Sequence, residues 1–273
     1  MKKLKILGLS FLTSLIVYFD FQFAFLPIWA LFVSVFILYY GTTYWILESD
    51  IDQSGWFTLL LFPSLFMACI AEALNLYTHP LIHDFHVSIK GESLVIFLFY
   101  FFIFTIIGYL IILTMNIFNV SRYKRLPLLQ AAQSILYVCT SIGGYVAYNL
   151  AFNSFSNHWS VFLILTIIIS SFLIFINNWG LKIVGKESGV LILIGMYIIG
   201  QIGFVLLLFP LQSYIIPLTT SIALYIFNGM IIRMKKHKHM KASWVEYLTL
   251  TILMLILILY TSHWGIAGNI LGY

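Results

Sequence analysis

The sequence predicts an all-α polytopic transmembrane helix bundle, a single integral membrane domain over residues 1–273 with about nine spans and no soluble domain. Three observations carry that reading. The chain is 62% hydrophobic and 8% charged, with a mean hydropathy of +1.03, whereas an ordinary soluble domain carries about 25% charged residues. Its apolar runs are continuous and reach the roughly 20 residues that a spanning helix requires. Only helices or closed barrels satisfy the backbone in hydrocarbon, and the period-two alternation of a barrel is missing. Finally, the cations lie in short clusters between the runs, the arrangement that orients membrane proteins.

Taken in order, residues 1–5 (MKKLK) are basic and residues 6–19 apolar. The following DFQFAF offers no small-x-small cleavage site, so the segment is expected to stay as a first span. A second span covers 27–47, with Pro27 in its first turn. After the polar loop 48–55 a third span runs over 56–77, where Pro63 removes a backbone donor and should kink it. The loop 78–92 leads to span four (93–118). Span five (126–151) places Gly143, Ala147 and Ala151 on one face, where small side chains let helices approach closely in lipid. Spans six to nine follow at 159–179, 189–209, 214–232 and 244–263. Spans one to three and seven to nine each contain a tight outer hairpin, an inner loop and a third span opening at Trp and closing near His. That pattern would suit the parallel repeats used by some transporters.

Alternating nine spans sorts the charges. With the N-terminus inside, 13 of the 14 Lys and Arg residues fall on the inner side and only Lys90 on the outer. This predicts a plasma (inner) membrane protein with a cytoplasmic N-terminus and an external C-terminus. The net charge of +5 is thus a topology signal, and neither nucleic acid nor nucleotide is an expected partner. Membrane lipids are expected partners, and the basic loop 233–241 could meet anionic headgroups at about 1 kcal/mol per cation. Cys69 and Cys139 both lie in spans and imply no disulfide framework. The G-x-x-x-x-G-K at 180–186 is followed by Glu187 where a phosphate-binding loop needs Ser or Thr, and it reads as a turn.

No Asp, Glu, Lys, Arg or His occupies the centre of a span. The most polar central residues are Gln201, Ser170, Ser171 and Thr105. Ion-coupled pumps keep ionisable groups in the membrane, so this distribution argues against one. Ionisable and amide groups instead collect at the outer ends of spans. Glu72, Asn75 and His79 share one helix face at i, i+3 and i+7, and His79, His83 and His86 extend that spacing if the loop is helical. Pro80 is expected to start a new helix over 80–86, while 87–91 could be helix or strand. Asn149, His158 and His263 close or open neighbouring spans on the same side. An H-x-x-x-H-D-x-H run with no companion H-E-x-x-H is not assigned a metal, and no cofactor is implied.

The sequence therefore supports an enzyme or binder for a lipid or amphiphile at the outer leaflet. Glu72, His83 and His86 are the candidate catalytic groups. Asn75, His79, Asn149, His158, Gln201 and His263 are the candidate substrate-binding groups. Two alternatives stand beside it: a permease for a neutral or weakly polar solute, lined by Gln201 and the small residues of spans five and six, and a non-catalytic assembly subunit. A carboxyl below the interface must be hydrogen-bonded, paired or protonated, which makes Glu72 the sharpest individual candidate.

Overall fold

The computed structural model describes residues 2–23, 28–47, 56–85, 92–121, 128–155, 158–183, 185–209, 211–212, 214–235 and 241–262. Side chains are described within 4–17, 30–47, 57–74, 98–99, 101–121, 128–155, 158–183, 185–209, 211–212, 214–235 and 245–262. Among these residues there are nine helices and no strand. They are α1 (Lys2–Phe23), α2 (Ile28–Leu47), α3 (Trp56–Phe85), α4 (Glu92–Val120), α5 (Leu129–Phe155), α6 (Trp159–Gly180), α7 (Lys186–Leu207), α8 (Ile215–Lys235) and α9 (Lys241–Thr261). Seven of them, α2 to α8, are long and apolar enough to cross a membrane, and α1 and α9 contain the shorter apolar stretches Leu4–Val17 and Val245–Thr261. The protein is a helical membrane bundle.

The helices follow the expected order, with one informative difference. α3 runs unbroken through Pro63 and Pro80 to Phe85, where the sequence suggested an end near Tyr77 and a restart at Pro80. A proline removes a single i→i−4 bond, and membrane helices accommodate this when neighbouring groups re-satisfy the backbone. The amide that Pro63 lacks would have bonded the Leu59 carbonyl; the Ser64 hydroxyl beside it donates one residue further on, to the Leu60 carbonyl at 2.6 Å. Thirty residues at ~1.5 Å each make ~45 Å, so α3 exceeds the ~30 Å hydrocarbon core.

Cα packing divides the chain into two compact units, Met1–Leu136 and Tyr137–Tyr273. The sequence carries no linker there, since the division falls inside α5. In the first unit α2 packs most extensively on α3, and α1 on α4. Leu31, Val35 and Tyr39 form the inward stripe of α2 at four-residue steps, while Val33 and Ile37 on its opposite side are exposed. That is the pattern of a helix with one face in protein and one in lipid. Hydroxyls stitch the centre of the unit. Thr13 donates to the Tyr39 hydroxyl at 3.0 Å and Thr105 to that of Ser14 at 2.7 Å. Gly108 leaves room for the Tyr39 hydroxyl, which a Cβ there would strike.

In the second unit α6 packs most extensively on α7, then α7 on α8, with further contacts of α8 to α6 and α9. Within this unit the expected small-residue face of α5 has Gly143 and Ala151 buried and Ala147 half-buried. The adjacent Gly144 marks a close approach, for a Cβ there would lie 2.9 Å from Leu224 Cδ2 and 3.3 Å from Leu173 Cδ1. The Tyr148 hydroxyl, also buried, hydrogen-bonds that of Ser170 at 2.7 Å. Ala151, Phe162, Leu206 and Ile216 form an apolar core at one end of this unit.

Candidate functional site

Glu72 lies in the apolar window Phe57–Leu74 of α3 and is buried, at 6% exposure. It is sixteen residues beyond Trp56, ~24 Å along the axis at ~1.5 Å per residue, a length shorter than a ~30 Å hydrocarbon core. Because α3 continues to Phe85 without a break, the two spacings seen in the sequence join into one. The backbone register puts Glu72, Asn75, His79 and His83 at i, i+3, i+7 and i+11, a single stripe along one helix. At the level of Glu72 that stripe is turned into the unit. The side chains of Asn75, His79 and His83 lie outside the described residues, as do His86 and His263 entirely, so the expected histidine or asparagine partner of Glu72 is not among the groups whose contacts are described.

The remaining candidates belong to the second unit. Asn149 is buried, and its Oδ1 accepts a bond from Asn153 Nδ2 at 3.5 Å. His158 is exposed and stands at the N-cap of α6, with no side-chain capping bond. Gln201 is exposed on α7, so its amide does not point into the packed interior between α6, α7 and α8. The central hydroxyls behave as helix-packing groups: Ser170 donates to Thr166 O at 2.6 Å and Ser171 to Ile168 O at 2.7 Å.

A second polar region lies where the C-termini of α6 and α8 meet the N-termini of α7 and α9. We call it the basic end of the second unit, after Lys182, Lys186, Arg233 and Lys235. Here Arg233 Nη2 donates to Glu246 Oε2 at 2.6 Å and its Nε to the Tyr247 hydroxyl at 3.1 Å. Tyr225 donates to the other Glu246 oxygen at 3.2 Å. Tyr137 caps the arrangement by donating to the Tyr225 carbonyl at 2.9 Å, with the two rings 4.7 Å apart. Gly229 makes the cluster possible, because a Cβ there would strike the Tyr247 hydroxyl and lie 2.7 Å from that of Tyr137. Tyr225, Gly229 and Arg233 thus form the α8 face that meets α5 and α9.

The turn from α6 to α7 at this end is organised by Asn178. Its carbonyl accepts from the Ile183 amide at 2.9 Å, and its Nδ2 donates to Ser188 Oγ at 3.3 Å. Gly185, at φ 73°, takes the left-handed conformation that starts α7 without a capping side chain. Asn177, Asn178 and Asn228 are all buried here. Among the described residues no partner is made by Asn177 Nδ2, by Asn178 Oδ1 or by either polar atom of the Asn228 amide. Gly180–Lys186 is therefore a turn between two helices, not a strand-to-helix phosphate loop.

Comparison of the chain with protein-family models, curated proteins and solved structures finds no match. Chemistry must therefore be argued from the two polar regions themselves. The α3 stripe combines a carboxyl in apolar surroundings with an amide and two imidazole-bearing positions, the groups suited to acid–base work or headgroup binding. The basic end combines fixed cations with a helix N-terminus. The tyrosine cluster escaped the sequence reading because its members are spread over residues 137 to 247. In sequence Arg233 reads only as part of the basic loop 233–241, and Glu246, beyond that loop, is not singled out.

Proposed function

We propose that this protein binds, and acts on, the headgroup of a lipid or other amphiphile at the extracytoplasmic leaflet of the plasma membrane. Glu72 serves as the acid–base group or polar anchor, with Asn75, His79 and His83 above it on the same stripe and His86 beyond. The supporting observation is the burial of the Glu72 carboxyl within the apolar part of α3, on the stripe that continues toward the imidazoles. Burying a carboxyl in hydrocarbon is costly, and acids kept at such depth usually serve ligands or protons. The permease reading would need Gln201 to face a central polar cavity, whereas it is exposed on α7, and that exposure likewise gives no support to Gln201 as a substrate-binding group.

The decisive experiment is extraction and mass analysis of amphiphiles co-purifying with the full chain. Glu72→Gln keeps the shape and changes only charge and proton chemistry. The variant should lose a bound amphiphile found on the wild type, at unchanged yield and melting temperature. An identical bound complement, or loss of yield without loss of ligand, would contradict the proposal.

The reading requires the α3 stripe to open outward, so it includes a cytoplasmic N-terminus and an external C-terminus, as the one-sided cations suggest. In a chain with Cys69 and Cys139 replaced by Ala, single cysteines at Lys90 and Ser156 should label in intact cells. Those at Lys124 and Lys238 should label only after permeabilisation. External labelling at Lys238 would overturn this topology.

A further inference from the structure

On the side of α8 opposite the tyrosine cluster, an open cavity of about 610 Å³ lies between the first turn of α7 and the last turns of α8. Ile183, Val190, Ile231 and Met234 supply apolar wall, and Lys186, Glu187 and Lys235 supply its charges. Helical register explains the separation: Ile231, Met234 and Lys235 lie roughly half a turn around α8 from Tyr225, Gly229 and Arg233. The charge of Arg233 is taken up by Glu246 on that other face. Lys186 and Lys235, both exposed, form no ion pair among the described residues.

We propose that this cavity is a binding site for the headgroup of a monoanionic phospholipid. Three features specify that ligand. Two lysines and one glutamate leave a single net positive charge, which matches a phosphodiester and not a dianionic phosphate monoester, against which Glu187 discriminates. α7 begins at the cavity with no side-chain cap, so its first-turn amides and the positive end of its dipole add to the anion field. Beyond Val190 the exposed face of α7 continues as Leu193, Ile194 and Tyr197, an apolar track for acyl chains running from the cavity along the helix. A soluble phosphate would use the cations but gain nothing from the track. The Asn178 bonds to Ile183 and Ser188 hold the turn that sets both the cavity wall and Lys186.

The test uses the full-length protein in a neutral detergent, with thermal unfolding followed during titration with dioleoyl phosphatidylglycerol, dioleoyl phosphatidylcholine or inorganic phosphate. Phosphatidylglycerol should raise the melting temperature saturably, and the other two should not. Lys186→Gln and Lys235→Gln should each weaken the lipid about fivefold and the double variant about thirtyfold, the size expected for cations near a membrane surface. Arginine at both positions should restore binding. Lys182→Gln, at the same end but outside the cavity, should bind as the wild type does. Met234→Trp should block the lipid by filling the cavity without changing charge, which keeps the idea testable should the double lysine variant fold poorly. Equal stabilisation by phosphatidylcholine or by inorganic phosphate would overturn it, as would an equal loss in Lys182→Gln or unimpaired binding in Met234→Trp.

Discussion

Residues 1–136 join α1, α2 and α4 through hydroxyls near mid-span, whereas residues 137–273, which also hold the Tyr148–Ser170 pair, gather an ion pair, a cavity and three of their four described buried asparagines at one end. In the first unit, Thr13, Ser14, Tyr39 and Thr105 pair across α1, α2 and α4 near mid-span, and the one buried carboxyl described is Glu72. In the second unit the opposite end holds an apolar core around Phe162 and Leu206, beside the Asn149–Asn153 pair. The contrast teaches how polar groups serve a membrane protein. A serine or threonine hydroxyl can remain in hydrocarbon because its single hydrogen can turn either to a neighbouring helix or to its own backbone, as that of Thr105 can to Ser14 Oγ at 2.7 Å or to Phe101 O at 2.8 Å. Charges and amides need water or headgroups, and so mark the ends where ligands can arrive.

The contrast is broken most severely by filling a helix–helix approach in the second unit. A Cβ at Gly195 would strike Ile174 and lie 2.6 Å from Phe227. Gly195→Leu should therefore cost about 3 kcal/mol or prevent folding, the upper range for overpacking. Tryptophan-fluorescence melting and the monodisperse yield report it, and wild-type behaviour would mean that α6, α7 and α8 are not packed as described. Next in size is the hydroxyl seam of the first unit. Tyr39→Phe removes the partner of Thr13 and should cost about 1 kcal/mol, with no effect on the amphiphile binding proposed at Glu72. The smallest effect belongs to the Arg233–Glu246 pair, whose side chains are 28% and 45% exposed. At such exposure a double-mutant cycle with Gln at both positions should give a coupling of only about 0.5–1 kcal/mol, falling with salt. A coupling insensitive to salt would indicate a buried, not interfacial, basic end.

Much of this architecture was legible in advance. Continuous apolar runs mark the helices among the described residues because lipid imposes a minimum length on each span independently. Gly143, Ala147 and Ala151 were readable as a packing face from their four-residue spacing; Gly143 and Ala151 are buried and Ala147 is half-buried. Pro80 misled, because α3 runs through it to Phe85, against the local rule that the residue before a proline leaves the helical region. The basic-end cluster was illegible for a different reason. Tyr137, Tyr225 and Tyr247 look like ordinary interfacial aromatics until α5, α8 and α9 are folded together, and Asn178 is one amide among many until its bonds to Ile183 and Ser188 are seen. Glu72 could be singled out by sequence because its depth follows from counting residues, but the continuity of its stripe into His83 required the helix itself.

The central claim is that the two units carry separate ligand sites, a carboxyl site on α3 and a cationic cavity between α7 and α8. Native mass spectrometry of the wild type, Glu72→Gln and the Lys186→Gln/Lys235→Gln double variant, each purified identically from the same membranes, tests it directly. The account predicts two kinds of bound amphiphile on the wild type, with Glu72→Gln losing one and keeping the phospholipid, and the double lysine variant doing the reverse. Loss of the same species from both variants, or retention of both species by either, would contradict it.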